Sequence, residues 1–448
     1  MITVTYGFFS RTGVAPIGYT DRYAVGIRVP VLAPTADGGF VAVFPVEGFA
    51  DGDFSEPDAV GDGILAQRFD ANGAPVSDRV TVNVETEGWQ TRPAVATAPD
   101  GRVFVAFNDE AVLYEGVGTV RISVLDADLA PLVDERTVVF ADDRTNAINP
   151  AIRYDPVRDD VRVVAMAGNE GGLLGVTLDA GTLAVTDDWA WDEAEFTVQS
   201  PAMDVLTDGT LVVAAATVDA GLRVIRLDPF GARVGFATRD ALGPHLDVAA
   251  LPGGGFVLAR DIDDQAEGDL SVATYDANGV RQSYALVGIA GGADDVSIEV
   301  LPTGHFVTYH VASFGYRDAF VVANAFSPDG EVLLEDIVLS DGPGAYGDLS
   351  STTLLGGEMA LAYANSEPDG AGEDAIEILL DIIALSRIHE GDAAGDRFEG
   401  DGLDDVMFAG DGADTLVGAG GGDFLVGEGG ADLLLGGPGD DVLYGDAP

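Results

Sequence analysis

The sequence predicts an all-β protein, a seven-bladed β-propeller followed by a short, flattened parallel β-roll. Three observations predict it. A hairpin-forming unit recurs seven times between residue 31 and residue 390, at a mean spacing of about 53 residues. A nine-residue motif then recurs six times over residues 391–448. Helical periodicity is sustained nowhere, whereas apolar alternation broken by Gly, Asn and Asp turns is general.

Composition bounds the function before any motif does. The chain has 448 residues with 76 acidic against 22 basic ones, a formal net charge of −54, and every basic residue is Arg. Nucleic acid is excluded as a partner, because a polyanion needs a basic footprint. No apolar run is long enough to span a bilayer as a helix. A hydrophobic content of 47% separates the chain from acidic disordered sequences, so a large core is expected. Cysteine is absent, which removes disulfides, zinc–thiolate sites and thiol nucleophiles together. The opening MITVTYGFFSRTG lacks the basic start and apolar stretch of a cleavable secretory signal, so export by that route is not expected.

The first half of each repeat unit is an apolar run, a Gly-containing turn and a second apolar run. The seven instances are VLAPTADGGFVAVF from Val31, PAVATAPDGRVFVAF from Pro93, PAIRYDPVRDDVRVVAMA from Pro150, PAMDVLTDGTLVVAAA from Pro201, LDVAALPGGGFVLA from Leu246, VSIEVLPTGHFVTYH from Val296 and LSSTTLLGGEMALAY from Leu349. The second half is another hairpin around a D-A-N-G-like turn, as in GILAQRFDANGAPV from Gly63 and LSVATYDANGVRQS from Leu270. Asn-Gly and Asp-Gly supply the positive φ that tight hairpins need. Four short antiparallel strands per unit make one propeller blade, and seven units fall within the usual four to eight. The seventh unit lacks a fourth strand, so an N-terminal strand, from Ile2 or from Arg22, is expected to close the ring and cover the open edge. A pair of β-sandwiches is the competing architecture; the long regular period argues against it.

Composition breaks near Glu390. Residues 391–448 contain 17 Gly and 14 acidic residues against the single Arg397. Two domains are therefore expected, residues 1–390 and residues 391–448. On a nine-residue ruler from Gly391, the sixth position is Asp396, Asp405, Asp414, Asp423, Asp432 and Asp441, and the eighth is Phe398, Met407, Leu416, Leu425, Leu434 and Leu443. Glycine lets the backbone curl with its carbonyls turned inward, and a carboxylate adds charge to that ring of oxygens. Such a cage suits a hard cation, and calcium accepts six to eight oxygens in flexible geometry where magnesium demands a tight octahedron. The candidate metal-binding residues are the six aspartates with Gly412, Gly418, Gly420, Gly421, Gly427, Gly429, Gly430, Gly436 and Gly439. Two nonapeptides per turn would stack Asp396, Asp414 and Asp432 on one side, and Asp405, Asp423 and Asp441 on the other. The fourth position is Ala394 and Leu403 in the first two repeats and glycine in the last four, so the pairs Asp414 with Asp432 and Asp423 with Asp441 are expected to form the best sites.

The nonapeptide pattern resembles the G-G-x-G-x-D-x-U-x repeat of the RTX (repeats-in-toxin, haemolysin-type) calcium-binding proteins. The resemblance implies calcium as the cofactor and type I secretion to the extracellular space through an uncleaved C-terminal signal. Only GDAP follows Tyr444, fewer residues than such proteins commonly carry, so either the array overlaps the signal or the chain is a truncated or split product. Residues Asp37 to Asn83 are also similar to repeat modules found beside RTX arrays in large bacterial secreted proteins, which implies no defined activity.

Catalytic motifs are missing from the front domain: there is no G-x-S-x-G, no H-E-x-x-H and no Lys for a phosphate loop or a Schiff base. His305 and His310 stand five apart on one strand and are expected to face opposite sides, without a shared metal. Asp261, Asp263 and Asp264 fall short of a calcium loop because Gln265 is followed by Ala266 instead of the turn glycine, so a solvated loop is expected. Trp89, Trp189 and Trp191 could line a sugar platform, although the spacing of the last two is that of a strand with one core face. The function expected is a secreted calcium-dependent binding or adhesion protein, with an extracellular carbohydrate or protein as the ligand of the propeller. The alternative is a secreted propeller hydrolase that uses carboxylates around the central channel.

Overall fold

The computed structural model describes the chain except for residues 1–2, 7–8, 15–19, 22–29, 47–62, 85–88, 111–117, 142–144, 168–171, 192–200, 217–220, 230, 241–244, 263–268, 289–291, 314–318, 340–344, 356, 369–373, 386, 392–393, 401–404, 421–422, 440 and 446–448. Among the described residues there is no α-helix. Six four-stranded antiparallel sheets and one larger sheet follow one another in chain order as seven blades.

The innermost strands of the blades are Val31–Pro34, Trp89–Thr97, Ala147–Asp155, Ala202–Val205, Leu246–Ala250, Gly292–Val300 and Ala345–Thr353. Each touches the next, and Ala345–Thr353 touches Val31–Pro34, so the ring is closed. Apolar clusters lie between neighbouring blades. One joins blades 2 and 3 through Phe104, Ile122, Ile152 and Val163, and another joins blades 5 and 6 through Val257, Leu270, Phe306 and Phe326.

Turn chemistry sets the hairpins. In the first hairpin the turn glycine is left-handed at Gly38, Gly101, Gly209, Gly254, Gly304 and Gly357, with φ between 83° and 93°. In the second hairpin, Asp70 Oδ1 accepts the N–H groups of Asn72 and Ala74, and Asp276 Oδ1 those of Asn278 and Val280. The side chain thus satisfies turn donors that no ladder can reach. Just beyond these turns an aromatic pair stacks across the two central strands, Phe40 on Phe69, Phe256 on Tyr275 and Phe306 on Phe326, at centroid distances of 4.8–5.1 Å.

Two sets of polar contacts hold blade to blade. Near the turns, guanidinium groups donate to turn carbonyls of the next blade: Arg68 to Ala127, Arg136 to Thr182, Arg158 to Pro229 and Arg226 to Ala277. Along the axis, side chains of one innermost strand accept backbone N–H groups of the next. Asp204 accepts from Ala250 (2.7 Å), Asp247 from Ile298 (2.8 Å), Asp295 from Leu349 (2.7 Å) and Ser350 from Leu32 (3.2 Å).

The seventh sheet has the order Thr3–Tyr6, Phe9–Val14, Asp374–Leu385, Glu358–Pro368, Ala345–Thr353, with Thr20–Asp21 also beside Asp374–Leu385. The second expected closing strand, from Arg22, lies outside the described residues. By compactness the chain divides into one unit of residues 1–15, 357–359 and 381–448, and another of residues 16–356 and 360–380.

The last part of the chain is a parallel β-roll. One ladder contains Arg387–Glu390, Asp405–Phe408, Phe424–Val426 and Val442–Tyr444; the other contains Arg397–Glu399, Thr415–Val417 and Leu433–Leu435. Paired residues are 18 apart, as in Met407 with Leu425 and Leu416 with Leu434, so two nonapeptides make each turn. Between the ladders lie Met407, Ala409, Leu416 and Leu425, flanked by Phe398 and Leu434. The first rung, Arg387–Glu390, precedes the first recognisable nonapeptide. It places Arg387 in register with Asp405 and His389 in register with Met407.

Candidate metal centre

The aspartates of the roll form two ladders of their own. Asp396 N–H donates to Asp414 Oδ1 (2.6 Å) and Asp414 N–H to Asp432 Oδ1 (3.0 Å) on one side. On the other, Asp405 N–H donates to Asp423 Oδ1 (2.9 Å) and Asp423 N–H to Asp441 Oδ1 (3.0 Å). Each accepting carboxylate therefore commits one oxygen to the rung before it. Asp405, Asp414 and Asp423 are buried, with 1–2% of their surface exposed. The second oxygen of Asp414 is buried with no hydrogen-bond partner among the described residues. Leaving a carboxylate oxygen in that state costs several kcal/mol unless a cation compensates it.

The glycines make the space for this arrangement. A Cβ at the first position of a repeat would strike the carboxylate of its own repeat: 2.0 Å from Asp423 Oδ2 at Gly418, 2.7 Å from Asp432 Oδ2 at Gly427, and 2.3 Å from Asp441 Oδ2 at Gly436. At the fourth position the obstacle is the stacked backbone, with a Cβ on Gly430 1.6 Å from the Gly412 carbonyl oxygen. A Cβ on Gly429 would lie 2.4 Å from Asp411 Oδ1. Gly420 is among the described residues and Gly421 lies outside them.

A left-handed turn that the sequence does not suggest accompanies the positive-φ fourth position. It sits at the second position, at Gly410, Ala419 and Glu428 with φ of 79°, 77° and 56°, while fourth-position Gly412, Gly430 and Gly439 have φ of 144–155°. Glycine at the fourth position is thus required both by its positive φ and by the close approach of the next rung. Among the described residues no three acidic or histidine side chains converge. A cation held here would take its oxygens from pairs of aspartates and from backbone carbonyls, a donor set that fits calcium.

The propeller holds a second polar constellation, which sequence reasoning missed. The seven innermost strands enclose an axial cavity of about 670 Å³. Arg153 of blade 3 projects into it, its Nε 3.4 Å from Asp204 Oδ1 of blade 4 and its Nη1 donating to the Ile152 carbonyl. Asp247 of blade 5 and Glu299 of blade 6 also line the cavity. Desolvation pushes the Asp247 carboxyl up to about 7 against the pull of Arg153 and its two backbone N–H donors. It raises Glu299 too, although the Thr353 and Ser351 hydroxyls donate to that carboxylate at 2.6 and 2.8 Å. Arg153, Asp204 and Glu299 all stand two residues before the first hairpin turn, a shared position that the sequence could have revealed.

The other residues singled out by sequence are structural. His310 is fully buried and neither ring nitrogen has a hydrogen-bond partner among the described residues, whereas buried His305 bonds the Thr303 hydroxyl at 2.9 Å. Asp261 is buried and accepts His245 N–H at 3.0 Å, while Asp263 and Asp264 lie outside the described residues. Trp89 and Trp191 are buried, and Trp189 packs where a Cβ on Gly175 would stand. The three indoles form no common platform: Trp89 belongs to the innermost strand of blade 2 and the others to the outer strand of blade 3.

Comparison with known families matches residues 390–425 and 417–447 to the RTX calcium-binding nonapeptide repeat. The roll is therefore an array of RTX calcium-binding repeats. No curated protein matches the chain. Among solved structures, a protein of unknown function from Dyadobacter fermentans is 13% identical, with 84% of this chain and 99% of that one covered and a TM-score of 0.48. The intramolecular trans-sialidase from Ruminococcus gnavus, in complex with oseltamivir carboxylate, is 11% identical over 83% and 96% of the two chains, with a TM-score of 0.46. Hydrazine synthase from Kuenenia stuttgartiensis is 14% identical over 79% and 96%, with a TM-score of 0.48. Likeness at this level assigns no activity.

Proposed function

We propose that the protein is a secreted binding module whose RTX roll folds around calcium and whose propeller engages an extracellular ligand. The observation that carries the reading is the double aspartate ladder, above all the buried Asp414, whose second oxygen has no donor among the described residues. The ligands are Asp396, Asp405, Asp414, Asp423, Asp432 and Asp441 together with carbonyls of the glycine turns, and the best sites lie between Asp414 and Asp432 and between Asp423 and Asp441. The ion supplies positive charge that neutralises the ladders; the chain supplies the rigid spacing. Secretion through a type I system accords with the repeat type, because a roll that stays unfolded at low intracellular calcium can pass a channel and fold outside. The domain organisation is residues 1–390 as propeller, closed by an N-terminal strand, and residues 391–448 as roll. The sheet position of Phe9–Val14 beside Asp374–Leu385 supports that closure.

Isothermal titration of calcium into the chelator-treated full chain, with circular dichroism on the same samples, tests the reading. Several ions bound with a gain of β-signal are expected; absence of calcium binding up to millimolar concentration would refute it. A second reading, a propeller hydrolase, draws on one observation, the raised Asp247 carboxyl beside the Arg153–Asp204 pair. Groups whose environments push their pKa values apart can divide acid and base roles. Turnover of chromogenic glycosides or phosphoesters, lost in Asp247→Asn, would favour it.

A further inference from the structure

We infer that the axial cavity of the propeller is a binding site for a neutral, hydroxyl-rich ligand such as a short saccharide, with Arg153 as its principal donor. The inference goes beyond calcium binding by the roll and uses only residues of blades 3 to 7.

The cavity volume, about 670 Å³, lies within the roughly 300–1,000 Å³ typical of small-molecule sites. Its carboxylates are already engaged. Asp204 and Asp247 accept backbone N–H groups of the following blades, and Glu299 accepts two hydroxyls of blade 7. Arg153 differs. Its side chain is 42% exposed, Nε faces Asp204 at 3.4 Å, Nη1 donates to Ile152, and Nη2 has no acceptor among the described residues. A guanidinium edge therefore faces the cavity with donors to spare.

The charges around that edge select the ligand class. An anion drawn to Arg153 meets Asp204, Asp247 and Glu299 at the same site and approaches a chain of net charge −54. A metal cation drawn to the carboxylates meets the guanidinium. A hydroxyl group avoids both conflicts, because it accepts from Arg153 and donates to a carboxylate, and both bonds are charge-assisted. The raised Asp247 carboxyl adds either an acceptor or a donor near neutral pH.

The test is binding to the full-length protein, by saturation-transfer NMR and calorimetry, in calcium and again in excess chelator. The probes are cellobiose, maltose, lactose and mannobiose, with glucuronate, glucosamine and calcium as charged competitors. At least one neutral disaccharide is expected to bind at about millimolar Kd or better, with affinity reduced at least about tenfold in Arg153→Ala and less in Arg153→Lys, which keeps the charge but loses the planar fork. Arg153→Lys alone decides the matter if Arg153→Ala does not fold. Failure of all four neutral probes overturns the inference, as does a variant affinity equal to wild type. Glucuronate, glucosamine or calcium held about tenfold more tightly in the cavity than any neutral probe overturns the ligand class. Sugar binding that persists in chelator separates this result from the fate of the roll.

Discussion

The propeller and the roll are both built from repeated short strands, yet they fill their interiors with different chemistry. Between blades lie aliphatic and aromatic clusters that no ion is needed to complete, with polar latches added at the axis and at the turns. Among the described residues of the roll, six buried apolar residues, Val406, Met407, Ala409, Leu416, Leu425 and Val426, stand against three buried aspartates, Asp405, Asp414 and Asp423. A hydrophobic interior stabilises itself; a carboxylate interior requires a counter-charge. Under the proposed function, one chain combines a domain folded by burial with one folded by ligation.

The largest effect expected from a single substitution is in the roll. The Asp414 side chain accepts the Asp396 N–H and the Asp432 side chain accepts the Asp414 N–H, while Asp396 enters this ladder through its backbone N–H, which Asp396→Ala keeps; Asp414→Ala also removes a buried carboxylate. Asp414→Ala should lose at least one bound calcium and most of the calcium-induced β-signal, Asp432→Ala less, and Asp396→Ala least. Calcium stoichiometry on the three variants checks the order, and equal losses would show that the ladder is not the unit of binding.

Next in size, deletion of residues 1–30 should lower the propeller's melting temperature by more than trimming an ordinary terminus. The deletion uncovers the edge of Asp374–Leu385 and invites strand pairing between molecules. Melting and light scattering of the truncated chain in chelator report it. An unchanged midpoint in a monomeric sample would break the closure model.

A smaller, pH-dependent effect belongs to His310. Burial lowers its pKa to about 4 from an unfolded value of about 6.5, so the unfolded chain binds the proton first. Stability is then lost as pH falls from about 6.5 towards about 4, by up to about 3 kcal/mol. Asp247, raised to about 7, acts oppositely, since its folded form takes up the proton first as pH falls below 7. His310→Leu should remove the acid-side loss and leave the Asp247 contribution. Urea unfolding at pH 7 and pH 4.5 measures the difference, and identical pH slopes for variant and wild type would refute the assignment.

How far these features could be read from sequence differs between the two regions for a physical reason. Turn glycines such as Gly38 and Gly73 announce themselves because φ restricts the residue locally, and the nonapeptide phase survives because two positions in nine are fixed. The first rung was hidden, since Arg387 and His389 occupy the places of aspartate and leucine and only the backbone ladder reveals it. The left-handed second position was hidden as well, because Ala419 and Glu428 stand there instead of glycine. Arg153, Asp204 and Glu299 share one position in the repeat, but ring closure is needed before residues about 50 positions apart become neighbours, so the shared position alone does not show that they line one cavity.

The contrast between burial and ligation is tested most directly by hydrogen exchange of the full chain, followed by mass spectrometry with calcium and with excess chelator. Peptides from residues 391–448 are expected to exchange at unfolded rates in chelator and to become protected on adding calcium. Peptides from the central strands of the blades, such as Phe40–Val46 and Phe306–Ser313, should stay protected in both conditions. Protection of the roll in chelator, or loss of protection in those strands when calcium is removed, would contradict it.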